Sequence, residues 1–325
     1  MKVKLKAKSS TVVITLAGLV LFVSSFLAPI STYGATTPEL LWEKRFDSGV
    51  QNDYDGDVAY DVTVDNDNNI VVTGRSNYDY YTIKYDSSGN QLWDKRYNSG
   101  FGDQALAVAT DSNNSIIVTG EAGVVAGNKN FFNIKYDSQG NQLWTKSVGI
   151  GSSDLAYGIA VDSNNSIVVA GQSFGYHTTT GWNWDFLIVK YDNNGGYLWY
   201  KTYDNGDDRA YGVAIDSNDN VIVTGMSNWD FFTIKYDANG NELWSKTFDN
   251  GSDDIAFSVA VDSSNSIIVA GSSHNPTDNK DYTQLIKYDS YGRELWKRNY
   301  EGASWNNTLS VTVDSLNNII VAGPR

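Results

Sequence analysis

Apolar residues fall in short runs separated by clusters of Asn, Asp, Ser and Gly, and the runs are of two kinds. Stretches such as Ile167-Val168-Val169-Ala170 have no polar alternation, which predicts strands covered on both faces. Others alternate: Leu92, Asp94 and Arg96 point one way while Trp93, Lys95 and Tyr97 point the other, as in a half-exposed outer strand. The runs are rich in Val, Ile, Thr, Tyr, Phe and Trp, which favour a pleated surface, and the separators are turn residues.

The pattern repeats. Trp42, Trp93, Trp144, Trp199, Trp244 and Trp296 are spaced 51, 51, 55, 45 and 52 residues apart. Each unit holds four runs: one ending in Asp, one ending in Gly, one carrying a Lys-Tyr-Asp triplet, and one holding the Trp. A period near 50 built from strands predicts an all-β protein, a six-bladed β-propeller of four-stranded antiparallel blades. The chain opens with a lone fourth run, Leu40 to Phe46, and its last runs are a first and a second, 309–314 and 318–323. Closure is therefore expected from the N-terminal strand joining the C-terminal blade, and either that blade is three-stranded or the sequence is a fragment of a longer chain.

Offsets within the repeat separate scaffold from display. From first-run Asp to second-run Gly the offset is 9 in all six copies, and from the triplet Lys to the Trp it is 9 in all five. These are fixed hairpins in which Asn and Gly supply positive φ. From the Gly to the next Lys the distance is 10, 15, 19, 10 and 16. In a meander the variable connections all lie on one face, and recognition usually resides in loops on a rigid scaffold.

The first 35 residues read as a leader rather than fold. Lys2, Lys4, Lys6 and Lys8 precede an apolar run, and small residues near Gly34 and Ala35 suit cleavage, so residues 1–35 are expected to be a signal peptide and 36–325 a single propeller domain. The run from Val12 to Ile30 could instead stay as a membrane anchor, and only then would a membrane be a partner. Formal net charge is −14, and −18 without the leader, a surface that repels nucleic acid. There is no Cys, so stability rests on packing.

A residue present in every blade is most simply scaffold, so the triplet lysines are expected to pair with the recurrent first-run acids. The acids preceding each first run (Asp57, Asp103, Asp154, Asp208, Asp254) are expected to orient loops. Candidate ligand-binding residues are those peculiar to the variable loops: Tyr78, His177, Trp182, Trp184, Trp229 and His274. Exposed rings stack on sugars or fill partner pockets. Asp53, Asp55 and Asp57 alternate as calcium-loop acids do, although Val58 and Val64 stand where an EF-hand has Gly and Glu. Calcium is the one cofactor suggested.

The combination W-x-K-x-Y/F, D-x-A-x-x-V-A-V-D-S-N-N-x-I-I-V-x-G and I-K-Y-D-x-x-G-N-x-L-W, over residues 40 to 323, resembles the SBBP-type β-propeller repeats of exported bacterial and archaeal proteins. That resemblance implies a secreted or surface module without assigned chemistry. YDSSGNQLW also looks like the tryptophan-docking turn of quinoprotein propellers, one residue shorter and without its Thr, a likeness that bears on the fold alone. The expected function is a secreted or cell-surface, non-catalytic binding or scaffolding module whose variable face takes a protein or glycan. The alternatives are a multivalent lectin with sites between blades, using Tyr78, Trp184 and Trp229, and a lyase or quinone-dependent enzyme in the central funnel. For the last, His177, His274, Glu121 and Arg209 are the candidate polar residues.

Overall fold

The computed structural model describes residues 2–6, 11–16, 19–24, 40–46, 56–125, 127–177, 181–301 and 310–323, with residues 2–24 and 176–177 described by backbone alone. No helix occurs among them. Segments 58–97, 104–148, 153–203, 208–248 and 254–301 each fold into four antiparallel strands. In the first these are Val58–Val64, Ile70–Ser76, Asp79–Tyr85 and Gln91–Tyr97. One parallel bridge, Lys129 to Ser153, joins the second and third sheets.

The first-to-second turns are stitched in series. In each turn an Asn or Asp adopts positive φ, from 59° to 64°, and its side-chain oxygen accepts the amide of the preceding blade's turn. The links run Asn66 to Asn114, Ser112 to Asn165, Ser163 to Asp219, Ser217 to Asn265 and Ser263 to Asn317, each at 2.9 or 3.0 Å. The belt orders the sheets side by side, with their first strands facing a common axis.

A bulge sets what faces that axis. The ladder between first and second strands slips by one residue at Tyr60, Leu106, Tyr157, Tyr211 and Phe257. An extra residue bends the strand and re-aims its side chain, and all five line the axial funnel of about 590 Å³. Opposite each bulge stands the recurrent second-strand glycine. At Gly74, Gly120, Gly171, Gly225 and Gly271 a Cβ would come within 1.9 to 2.1 Å of a first-strand carbonyl oxygen.

Blades lock through the Trp. The indole N–H of Trp42, Trp93, Trp144, Trp199 and Trp244 donates to a turn carbonyl of the next blade at 3.0 to 3.2 Å. Each indole also lies 5.9 to 6.3 Å from that blade's triplet Tyr. The turn glycine beneath, such as Gly240 (φ 84°), leaves room for it. The triplet lysines are buried in ion pairs as the sequence indicates: Lys84–Asp65, Lys135–Asp111, Lys190–Asp162, Lys235–Asp216 and Lys287–Asp262, at 2.7 to 2.9 Å.

The N-terminal pairing differs from expectation. Trp42 of Leu40–Arg45, with Phe46 just after that strand, packs on the first blade, as a fourth strand should. Its ladder partner, however, is Lys2–Lys6, in a sheet with Thr11–Leu16 and Leu19–Ser24, and not Ile319–Ala322. Ser310–Val313 and Ile319–Ala322 pair only with each other among the described residues. Ladder bonds are made by backbone, so a free strand edge accepts any extended neighbour and the repeat does not dictate which. The difference is felt in the fifth blade: Lys287 is 17% exposed against 2–3% for the other four lysines. Trp296, Tyr300, Ile319 and Val321 line an open apolar groove of about 520 Å³.

Candidate functional site

The second-to-third connections differ in length and share one face. Two are tight two-residue turns, Asn77-Tyr78 (φ 51° and 60°) and Asn228-Trp229 (φ 50° and 71°). Asn tolerates this conformation, but a bulky aromatic there costs of order 1–3 kcal/mol, and such strain gathers at functional positions. Tyr78, Trp184 and Trp229 each lie six residues before the triplet lysine of their blades, so they are the same position in three copies. Tyr78 is 41% exposed and Trp229 40%. Tyr78 sits over Arg75 at 5.4 Å.

At the third and fourth blades these positions converge. Trp182, 62% exposed, stacks on Phe174 at 5.5 Å, and Phe174 meets Trp184 at 4.9 Å. Arg209 lies between two indoles, 5.6 Å from Trp184 and 5.9 Å from Trp229, and is held there by Asp207 at 3.0 Å. Burial works against the guanidinium charge, yet Asp207 keeps its pKa above the usual value. Phe174, Trp182, Trp184, Arg209 and Trp229 thus form one continuous aromatic and cationic patch, the composition that dominates binding hot spots. The sequence singles out the three tryptophans; Phe174 joins them across the ladder of its own blade, opposite Trp184, and the bridging role of Arg209 arises from the contact between blades.

The other candidates lie apart from it. His274 Nδ1 is 2.7 Å from Asp281 Oδ1 in the fifth blade. His177 is described by backbone only, in the strand Ile167–His177. Asp53 and Asp55 lie outside the described residues, and Asp57, half-buried at the start of the first blade, joins no described cluster of metal-ligating groups. The acids before the first strands do hold loops. Asp103 accepts from Ser99 N and Oγ at 2.6 Å and from Gly123 N at 3.0 Å, and Asp254 accepts from Asn250 N at 2.7 Å. Burial, with Asp230 and Asp249 adding to it, pushes the Asp254 carboxyl up to about 6, despite the Ser273 and Asn250 donors.

The funnel is lined mostly by aromatic and apolar residues. Its wall includes Tyr60, Leu106, Tyr157, Tyr211 and Phe257, with Tyr211 in tilted ring contact with Tyr157 and with Phe257, each at 5.5 Å. Asp61 is the carboxylate in that wall; desolvation raises it to about 6 against two amide donors, Val108 N and Val62 N, both at 2.8 Å. Glu121 is bound by Lys129 and Gln104. No hydrogen bond or ion pair joins Glu121, Arg209 and His274 to one another among the described residues.

Sheets packed side by side around a bulge-lined axis define a β-propeller. Within that class the chain matches the family described as outer membrane protein assembly factor BamB over residues 2–181, more than half its length, and it belongs to that family. A curated relative, the uncharacterized WD repeat-containing protein L264 of Acanthamoeba polyphaga mimivirus, is 32% identical over 117 residues, which is 31% of this chain and 8% of that protein. Solved structures agree on the fold alone. The extracellular domains 1-2 of Drosophila semaphorin 1a superpose with a TM-score of 0.55 at 6% identity, covering 99% of this chain and 84% of theirs. A protein of unknown function from Dyadobacter fermentans gives 0.53 at 10% identity, covering 82% and 93%. A glucose dehydrogenase gives 0.50 at 8% identity, covering 82% and 93%.

Proposed function

We propose that the protein is an exported, non-catalytic binding module that engages a protein or glycan through its variable-loop face. The observation that supports this most is the patch of Trp182, Trp184, Arg209 and Trp229, with Trp229 set at a φ of 71° in a two-residue turn where a smaller residue would carry less strain. A labelled chain is screened on a glycan array and a peptide display library. For ligands so selected, Trp229→Ala and Arg209→Ala are expected to weaken binding at least about tenfold each, because hot-spot truncations cost 2 kcal/mol or more. Equal binding by both variants, or loss instead on Tyr211→Ala in the funnel, overturns the reading. A multivalent lectin is the second reading, favoured by the recurrence of Tyr78, Trp184 and Trp229 at one repeat position; more than one glycan per chain would mark it.

SBBP-type repeats, a cleaved leader over residues 1–35 and a six-bladed ring belong to the same proposal. On leader removal Leu40–Arg45 loses Lys2–Lys6 and is free to enter the last blade. Amide exchange across Ile319–Ala322 is then expected to slow in a chain beginning at residue 36; unchanged exchange would exclude this closure.

A further inference from the structure

Two groups of three carboxylates lie at successive blade boundaries on the variable face: Asp185, Asp204 and Asp208, then Asp230, Asp249 and Asp254. In each group one oxygen from every member lies within 4.8 Å of the others. Acids crowded together on a surface need not mean anything. Here, however, the deepest member of each group is fully buried; its Oδ2 takes a loop amide, Asn205 N or Asn250 N, while Oδ1 of Asp208 and Oδ1 of Asp254 have no well-aligned donor, the Ser227 and Ser273 hydroxyls being the groups beside these carboxyls. Buried acceptors are nearly always satisfied. Among the described residues none of Asp208, Asp230 and Asp254 forms an ion pair with a lysine or arginine, Arg209 being paired with Asp207 and Lys235 with Asp216.

The first blade shows the alternative solution. Its equivalent of Asp230 is Asp79, and Arg96 neutralises it: Nη1 lies 2.9 Å from Asp79 Oδ2 and 3.1 Å from Ser76 O, and Nη2 lies 2.8 Å from Ser76 Oγ. Asn98 stands there where the later blades have Asp204 and Asp249. In the fourth blade Ser227 and Asp230 keep the Ser76 and Asp79 positions, but Thr247 replaces Arg96. The third blade likewise has Thr202. The guanidinium is thus lost where a carboxylate is gained, and the group that suits such an exchange is a hard cation with oxygen ligands.

We propose that Asp230, Asp249 and Asp254 bind a divalent cation of the calcium type, and that Asp185, Asp204 and Asp208 repeat the site one blade earlier. The ion ties the start of the third strand to the loop before the next blade's first strand. It thereby fixes Trp229, next to Asp230, and Trp184, next to Asp185. The site is independent of partner binding, since metal alone is the probe.

Terbium, which takes calcium-type oxygen sites and emits when a nearby indole is excited, reports it directly. The full chain is expected to bind two terbium ions, displaced by calcium, with Tm rising about 5 °C when calcium is a hundredfold above its Kd. Asp254→Asn is expected to remove one ion, and Asp208→Asn with it both. Thr247→Arg, which installs the first blade's solution, should remove one ion while holding Tm in EDTA at or above that of the parent chain. That outcome distinguishes cation loss from misfolding. Absence of saturable emission up to about 1 mM metal, the weak end for extracellular calcium sites, overturns the proposal. So does emission that is the same in the parent, Asp254→Asn and Thr247→Arg.

Discussion

Replacing Lys235 with methionine is expected to destabilise the protein by about 3–5 kcal/mol at neutral pH, the cost of leaving one member of a buried ion pair alone. Lys235 and Asp216 side chains are 2% and 0% exposed and lie 2.7 Å apart. The ammonium also reaches the Ser290 carbonyl of the next blade at 3.2 Å, the same oxygen that receives the Trp244 indole, so the substitution strips a link between blades as well. Asp216 would retain Asn218 N, Asn220 N and Asn220 Nδ2 as donors but no counter-charge. Adding Asp216→Asn should recover most of the loss, because the neutral pair no longer buries a charge. Denaturant unfolding of the single and double variants measures both, and a loss below 1 kcal/mol for the single variant would show the pair to be solvated.

The pH dependence follows from the same pairs. Burial alone would raise the carboxyls of Asp65, Asp111, Asp216 and Asp262, but the lysine partner and the turn donors outweigh it and hold them below the ordinary carboxylate value. A lowered folded-state pKa contributes stability that is present above the unfolded value, about 3.9, and is lost as pH falls through the folded one. The parent chain should therefore lose stability below about pH 4 more steeply than the double variant, which lacks one such pair.

Gly171→Ala, like the same change at Gly74 or Gly225, is expected to be severely damaging for a single methyl, about 4 kcal/mol or more. Its Cβ would lie 1.9 Å from the Leu155 carbonyl oxygen and 2.8 Å from Ala156 Cα, all backbone, so nothing flexible can yield. Relief requires undoing the bulge at Tyr157, and that bulge is what turns Tyr157 into the funnel. The variant should lose the structure of the third blade before its neighbours in native-state hydrogen exchange. An alanine variant with parental Tm would mean the first strand can flatten without cost. A control at Gly127, where a Cβ meets nothing, separates this clash from backbone strain, since its φ of 82° carries strain alone.

Much of the fold is legible in the repeat because its two hairpins keep a constant offset of nine residues and each copy repeats the same residue types. The triplet lysine follows its Asp by 19 to 28 residues, yet every copy offers one Asp of that kind at the end of a first run, and a buried lysine needs such a partner. The outer position of the Trp strand follows from its alternation, and the structure shows Trp93, Lys95 and Tyr97 half-buried with Leu92, Asp94 and Arg96 exposed. The candidate site was legible only in part. Trp182, Trp184 and Trp229 stand out as ring residues in variable loops, but Phe174 reads as an ordinary strand end. Asp185 and Asp230, five residues before their lysines, carry a signal only when compared with Tyr282 and Asn130 at the same position.

What the amino-acid sequence settles by itself is the content of each blade: four strands, their fixed turns, the lysine and aspartate that pair within it, and the face on which length varies. These depend on local backbone preference and on side chains brought together by one meander, whatever surrounds it. The tertiary structure alone decides that the second-strand glycine faces a bulge, that the bulged ring lines the axis, that Arg209 of one blade fills the gap between the tryptophans of two, and that carboxylates from separate loops meet. It also decides that Leu40–Arg45 takes Lys2–Lys6 as its neighbour. The glycine opposite its bulge and the pairing of Leu40–Arg45 are relations between backbones of neighbouring strands, which side-chain pattern does not record; the others are relations between successive sheets, set by the angle at which one packs on the next, and no offset along the chain records that angle.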